Sequence, residues 1–236
     1  MNVTIHVITN GDQERIKKTS DALESYGLTF EFHTFPKHPT NGRHGCYQSH
    51  IKMYEYARQH NMDWIAIAED NIVCAQESIP TTLDRDIKKV LKQNEWEIIL
   101  FGGWVKPFIR YKKTEYPTLF ETHDTHGTSF YFIHKRLYKK MLKHYSFRED
   151  HIDNILNQVA NTPLVSQFLF YRDYQIQTSN TYFSNSFLQS GLSYFHYYYR
   201  RPCIMNLLQQ FATNWEIVYL CLIIVFIFII NMLCLK

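Results

Sequence analysis

A short uncharged run from Trp64 to Ala68 most constrains the fold, and the polar triplet Glu69, Asp70 and Asn71 follows it directly. Such a run is typical of a buried strand, and open α/β sheets bind ligands at the carboxyl ends of their strands. The two acids therefore predict a site that could hold a metal ion and a nucleotide diphosphate. The alternative is that they only begin a turn or cap a helix, since acids favour helix N-termini.

Apolar patterns along the rest of the chain alternate as expected for an α/β sheet. They predict strands at residues 3–9, 28–35, 64–68, 96–101, 127–133, 168–171 and 175–178. They predict helices at residues 12–26, 47–60, 83–91, 135–144 and 150–160. Pro, Gly and His predict a loop at residues 36–44, and the irregular stretch 104–121 is interpreted as an active-site loop.

The C-terminal segment contains no charge from Ile217 to Leu235. About 20 apolar residues cross a bilayer core, so we predict a transmembrane helix at residues 216–235; the alternative is a wholly buried helix. Arg200 and Arg201 agree with a cytosolic side before the span. The N-terminus lacks a signal-peptide pattern, and we therefore expect a single-pass, tail-anchored protein with its folded domain in the cytosol.

The segment 194–215 is interpreted as an aromatic and basic juxtamembrane region. Its aromatic cluster at residues 194–199 either beds the domain on lipid headgroups or forms part of an acceptor site. Charge is nearly balanced, with 25 Lys and Arg against 22 Asp and Glu, and the basic residues are scattered. This pattern excludes a nucleic-acid footprint. The five cysteines show no CxxC spacing, so they indicate neither a disulfide framework nor a zinc site built on cysteines, and they fit a reducing compartment.

Several short motifs occur in a fixed order along the chain. They are Gly45-Cys46-x-x-Ser49-His50, Glu69-Asp70-Asn71, Gly127-Thr128-x-x-Tyr131, Asp153 and Ser184-Asn185-Ser186. This set resembles glycosyltransferase family 25, which includes bacterial lipopolysaccharide galactosyltransferases and collagen β-galactosyltransferases. The resemblance covers about Val3 to Ser186.

The resemblance implies a GT-A-like domain over residues 1–193, with a mixed, mostly parallel sheet flanked by helices. It also implies an inverting hexosyltransferase that uses a nucleotide-sugar donor, UDP-galactose, together with a divalent cation, manganese. The acceptor would be a hydroxyl on a glycan, glycolipid or protein. Physical chemistry agrees, because a hard cation held by carboxylates neutralises a diphosphate leaving group and a positioned carboxylate deprotonates the acceptor.

The family's acidic motif assigns roles to the acids. Glu69 and Asp70 match its first two acids and are expected to face the donor ribose and the metal. Asn71 departs from the third acid, and its amide oxygen could ligate the cation without adding charge. Asp153 matches a downstream aspartate and is the expected base or a second metal-site acid, so Asp70 and Asp153 are the expected catalytic residues. The alternative for Asp153 is an ordinary acid at a helix end.

The remaining matched residues are expected around the donor. Ser49 and His50 either touch the diphosphate or pin a helix against a strand through hydrogen bonds. Gly45 is expected to allow close backbone approach, and Gly127 and Thr128 are expected beside the sugar.

Two further residues favour structural interpretations. Cys46 is interpreted as a small packed residue and not a nucleophile, because inverting transfer needs no covalent intermediate. Arg15 lies where the family commonly has basic residues, although a solvated helix arginine is the favoured interpretation. A rival hypothesis for the whole chain is a degenerate, membrane-bound scaffold that binds donor without turnover, supported by Asn71.

Overall fold

The computed structural model describes residues 3–74, 81–93, 95–104, 112–116, 119–121, 126–143, 152–160, 164–166 and 170–172. The strands are β1 (Ile5–Thr9), β2 (Phe30–Thr34), β3 (Trp64–Glu69), β4 (Ile72–Cys74), β5 (Ile98–Trp104), β6 (Lys112–Lys113), β7 (Leu119–Glu121), β8 (His126–His134), β9 (Leu164–Ser166) and β10 (Phe170–Arg172). The helices are α1 (Gln13–Ser25), α2 (Gly42–Gln59), α3 (Thr81–Gln93), α4 (Lys135–Lys143) and α5 (Ile152–Val159).

The described strands form an eight-stranded sheet in the order β2-β1-β3-β8-β5-β9-β7-β6, and β10 pairs separately with β4. β1 pairs in parallel with β2 and β3, and β5 pairs in parallel with β9. β8 runs antiparallel between β3 and β5, and the pairs β6–β7 and β7–β9 are also antiparallel. The expected mixed α/β architecture is confirmed. The expectation of a mostly parallel sheet is wrong, because β8 lies in the middle of the sheet and runs antiparallel to both of its neighbours.

Helices cover both faces of this sheet. On one face α1 and α3 bury Leu23 and Ile87 in one apolar cluster, while α2, α4 and α5 pack into a second cluster on the other face. Strand β3 contributes to both, with Ala66 in the first cluster and Ile65 and Ile67 in the second. Because both faces of β3 are covered, the run contains no polar residue, as predicted for a buried strand.

Helix α1 has clear start and stop signals. The side chain of Asp12 accepts hydrogen bonds from the backbone N–H groups of Glu14 and Arg15, which makes Asp12 the N-cap. After Tyr26, Gly27 adopts a positive φ of 62° and its N–H donates to the Glu24 carbonyl. The predicted first helix and its glycine stop are confirmed.

Helix α2 begins earlier than predicted. Asn41 is its N-cap, and the Asn41 side chain accepts from the backbone N–H of His44 at 3.1 Å. The expected loop through residue 44 is therefore too long, and the motif from Gly45 to His50 lies on a helix. Gly42 and Gly45 conceal this start, since glycine disfavours helix interiors by about 1 kcal/mol relative to alanine.

Strand β5 runs past its predicted end at Phe101 and includes Gly102 and Gly103, with register shifts against β8 at these positions. The short strands β4, β6, β7 and β9 were not predicted. Parts of the expected active-site loop, in β6 and β7, lie at the sheet edge opposite β1 and β2. The expected strand at 175–178, the motif at 184–186, the juxtamembrane segment and the helix at 216–235 lie outside the described residues. Among the helices that are described, none is long and apolar enough to span a membrane.

Candidate active site

An open pocket lies at the carboxyl ends of β1 and β3, where α2 begins. This is the edge at which parallel strands of α/β proteins place ligands. Its walls come from the ends of β1 and β3, the segment after β2, and the first turns of α1 and α2. The lining residues are Ile8, Thr9, Asn10, Arg15, Phe35, Pro36, Lys37, His38, Gly42, Gly45, Cys46, Ser49, His50, Glu69 and Asp70.

Asp70 is 3% exposed and directly follows β3, where its backbone N–H donates to the Ile8 carbonyl at 3.1 Å. Its Oδ1 forms an ion pair with the guanidinium of Arg15, which is also buried. Burial raises the pKa of Asp70 above its ordinary value, although a hydrogen bond with the Thr9 side chain and the charge of Arg15 oppose that rise. The interpretation of Arg15 as a solvated helix residue is therefore wrong.

The position of Arg15 offered the available sequence signal. It lies in the first turn of the helix that follows β1, and this turn necessarily sits at the carboxyl edge of the sheet. The partner could not be found in the sequence, because Asp70 is brought to Arg15 only by the pairing of β3 with β1.

Glu69 is the last residue of β3, and its side chain is 13% exposed. The hydroxyl of Thr128 on β8 donates to Glu69 Oε1 at 3.3 Å, and His50 Nε2 on α2 lies 3.8 Å from the same oxygen. Three elements that are distant in sequence thus meet at one carboxylate. The structure brings together Glu69, Thr128 and His50, all of which were predicted site residues.

His50 has no exposed surface, and its imidazole joins α2 to the sheet. Its Nδ1 shares a hydrogen bond of 2.6 Å with the Tyr131 hydroxyl, which shares another of 2.8 Å with Tyr54. Burial raises the pKa values of Tyr131 and Tyr54 well above their usual value, so both hydroxyls carry their protons at neutral pH. His50 Nε2 is buried beside Glu69 without a hydrogen-bond partner among the described residues. The pinning role is therefore observed, and the second ring nitrogen remains available to a ligand.

The first turns of α2 carry the other matched residues. Ser49 Oγ donates back to the Gly45 carbonyl at 2.9 Å. A Cβ built on Gly45 would lie 2.9 Å from the Cβ of His38, so the segment containing His38 packs closely against Gly45, whose role toward the donor stays a prediction. Cys46 packs against the core as predicted and also lines the pocket.

Four predicted site residues are not among those that line the pocket in the described part of the chain: Asn71, Gly127, Thr128 and Asp153. Asn71 follows Asp70 in the sequence and is fully buried. Gly127 and Thr128 are consecutive residues of β8. Asp153 is half-buried in the first turn of α5. Their roles toward donor, metal and acceptor stay predictions.

A divalent cation fits part of the pocket. Cys46, His50 and Glu69 each offer one ligand atom, and these atoms lie within 4.8 Å of one another. Carboxylate and imidazole suit manganese, whereas a thiolate suits softer metals. Of the predicted ligands Glu69, Asp70 and Asn71, this cluster contains Glu69. The buried Asp70 Oδ2, which has no hydrogen-bond partner among the described residues, is a further candidate ligand.

Solved structures show distant similarity to this chain. A197 from STIV is 12% identical with a TM-score of 0.45, over 70% of this chain and 81% of that one. A glycosyltransferase involved in glycosylation of the major capsid of PBCV-1 is 10% identical with a TM-score of 0.45, over 72% and 92%. Drosophila β1,4-galactosyltransferase 7 is 9% identical with a TM-score of 0.41, over 81% and 79%.

No curated protein matches the sequence. The model of glycosyltransferase family 25, described as an LPS biosynthesis protein family, matches residues 14–156. This match spans the helix that carries Arg15, the α2 motif, the acids after β3 and α5 up to Leu156. The chain therefore belongs to glycosyltransferase family 25.

Proposed function

We propose that the chain is a GT-A-like inverting galactosyltransferase that moves galactose from UDP-galactose to a hydroxyl on a glycan, glycolipid or protein. Family membership supports glycosyl transfer in general. The observation that carries the proposal is that one pocket is lined by Arg15, the start of α2, Glu69 and Asp70. This arrangement combines groups that attract a diphosphate with groups that attract a cation.

The positive side of the pocket supports diphosphate binding. Arg15 and Lys37 line it, and α2 begins there at Gly42. A helix N-terminus carries about half of an elementary positive charge and offers free backbone N–H groups, which together favour phosphate. The absence of a side chain on Gly45 keeps this surface close to the segment containing His38. In the proposal, the diphosphate lies against these groups.

Glu69, Asp70 and Asp153 have different roles in the proposal. Glu69 and His50 would hold a divalent cation, manganese, which neutralises charge that develops on the leaving diphosphate. Asp70 holds the Arg15 guanidinium in place through the buried ion pair. Asp153 is the proposed base that takes the proton of the acceptor hydroxyl, and Thr128 and Gly127 lie on the strand nearest the sugar in this proposal. Asn71 and Ser49 are proposed to support the donor side.

A donor experiment tests the proposal. The full chain is incubated with UDP-galactose, UDP-glucose and their GDP counterparts, with and without manganese, and both binding and slow donor hydrolysis are measured. We expect manganese-dependent hydrolysis of UDP-galactose that releases the β-anomer, which is the mark of inversion. Glu69→Gln should abolish it, and Asp153→Asn should lower transfer to an acceptor by about 10²- to 10⁴-fold.

Glu55→Gln is the matched control, because Glu55 is an exposed acid on the same helix as His50. Its rate should equal that of the unmodified chain. Failure of every donor to bind would overturn the proposal. Binding without hydrolysis, even with acceptors present, would favour the scaffold hypothesis. Asn71 supports that hypothesis, because an uncharged amide stands where the family has a third carboxylate.

The membrane tether is part of the proposal. The segment 216–235, which contains no charge after Glu216, would span the bilayer, the segment 194–215 would lie at its surface, and residues 1–193 would face the cytosol. Tethering raises the effective concentration of the enzyme toward acceptors on the same membrane. Protease added to sealed vesicles with the cytosolic face outward should digest the domain, and a shielded domain would refute this orientation.

A further inference from the structure

A second cluster of metal-ligating side chains lies on the two strands at the β2 edge of the sheet. His6 on β1 pairs in register with Glu31 on β2, and His33 follows two residues later on the same face of β2. His6 Nδ1 is 2.6 Å from Glu31 Oε1, His33 Nε2 is 3.0 Å from that oxygen, and the two ring nitrogens are 3.0 Å apart. The three possible metal-ligand atoms therefore lie within 3.0 Å of one another.

Hydrogen bonds alone do not account for all three contacts among His6 Nδ1, Glu31 Oε1 and His33 Nε2. Each ring nitrogen carries at most one hydrogen, and an ionised carboxylate carries none, so simple hydrogen bonds account for two of the three contacts at a time. A cation at the centre would accept all three lone pairs together. Tetrahedral zinc with bonds of about 2.0–2.1 Å separates its ligand atoms by about 3.3 Å. The two contacts of 3.0 Å would therefore open by about 0.3 Å, and the contact of 2.6 Å between His6 Nδ1 and Glu31 Oε1 by about 0.7 Å.

The surroundings hold the three side chains in place. The His6 side chain is 3% exposed, and those of His33 and Glu31 are 20% and 44% exposed, so a buried anchor meets two ligands at the surface. The Tyr56 hydroxyl of α2 donates to Glu31 Oε1 at 3.3 Å, and its ring contacts both imidazoles. Burial lowers the pKa of His6 despite the opposing charge of Glu31, which favours the neutral imidazole that binds metals.

We propose that His6, Glu31 and His33 form a zinc site that joins the edge strand β2 to β1. Two imidazoles and one carboxylate are an established ligand set for zinc, whereas magnesium and calcium prefer oxygen ligands. In the described part of the chain, none of the three ligands is among the residues that line the donor pocket, although Ile8, which lines it, pairs in register with His33. The test below measures bound zinc and not sugar transfer. The inference therefore holds or fails independently of sugar transfer.

Zinc binding by the full chain, prepared without a polyhistidine tag, tests the proposal. Bound zinc is counted after equilibrium dialysis, and thermal unfolding is compared with and without zinc. We expect His33→Gln and Glu31→Gln each to lose one equivalent of zinc relative to the unmodified chain. Zinc should raise the midpoint of unfolding of the unmodified chain by several degrees and should have no such effect, through this site, on the two variants.

Two control variants separate this site from other ligands. His44→Gln removes an imidazole from α2 and should keep every equivalent of zinc. Cys46→Ala removes a ligand from the pocket cluster and should keep the equivalent that depends on His33. His33 and Glu31 are partly exposed, so folding of either variant can be verified in metal-free buffer. Equal zinc in the unmodified chain and both site variants, or an equal loss in His44→Gln, would overturn the proposal.

Discussion

Replacing Arg15 with methionine should strongly destabilise the protein. The side chains of Arg15 and Asp70 are 10% and 4% exposed, so the substitution leaves Asp70 as a buried carboxylate without its cation. Removing one partner of a buried ion pair costs about 3–5 kcal/mol, which is a large part of the 5–15 kcal/mol of free energy that typically stabilises a domain. We expect Arg15→Met to lower the free energy of unfolding by about 3–5 kcal/mol.

The matched control lies on the same helix. Lys18 and Glu14 form an ion pair of 2.9 Å, but their side chains are 42% and 75% exposed. Exposed pairs of this kind contribute about 0.3–0.5 kcal/mol, so Lys18→Met should change stability by no more than that. The assay is urea unfolding followed by tryptophan fluorescence. A loss in Arg15→Met as small as that in Lys18→Met would refute the claim that Arg15 neutralises Asp70 in the interior.

The pH dependence of the free energy of unfolding tests the same ion pair in a second way. Because burial raises the folded-state pKa of Asp70 above 3.8, the folded chain binds this proton more tightly than the unfolded chain. The stabilising contribution of that proton is fully present below pH 3.8 and is lost as pH rises through the folded-state pKa. Removing Arg15 eliminates an influence that lowers this pKa, so the deficit of Arg15→Met should be larger at pH 7 than near pH 4. A deficit independent of pH would contradict the assignment.

Two further substitutions test the walls of the pocket. Gly45→Ala should destabilise the chain by about 1–3 kcal/mol and weaken donor binding, because its new Cβ would meet His38 at 2.9 Å; stability and donor titration measure the two effects. Tyr131→Phe should lower the free energy of unfolding by about 1–3 kcal/mol, because it leaves His50 and Tyr54 with buried polar atoms that have lost a partner. An unchanged urea midpoint in Tyr131→Phe would show that this hydrogen-bond chain does not stabilise the fold.

Apolar periodicity and motif order predicted the buried strand and several site residues, whereas short strands and contacts that depend on strand pairing were not predictable. The buried run from Trp64 to Ala68 predicted both a central strand and the place of Glu69, because burial on two faces excludes charge from the sequence itself. The motif order predicted that His50, Thr128 and Glu69 all lie around the donor, but it did not predict that they meet at one carboxylate. Strands β4 and β9 have three residues each, which is too short for a period of two to emerge. The ion pair of Arg15 could not be predicted, since it depends on how β3 pairs with β1.

Asn71 decides between an enzyme and a scaffold, and its burial sharpens the test. Asn71 has no exposed surface and follows Asp70, whose charge is already matched by Arg15. Asn71→Asp therefore adds a second buried negative charge, which should lower the free energy of unfolding by several kcal/mol without a cation. If the side chain at 71 reaches the cation, manganese should restore the lost stability and increase donor hydrolysis. If manganese restores neither, position 71 lies outside the metal site, and the missing third acid no longer supports a scaffold that binds donor without turnover.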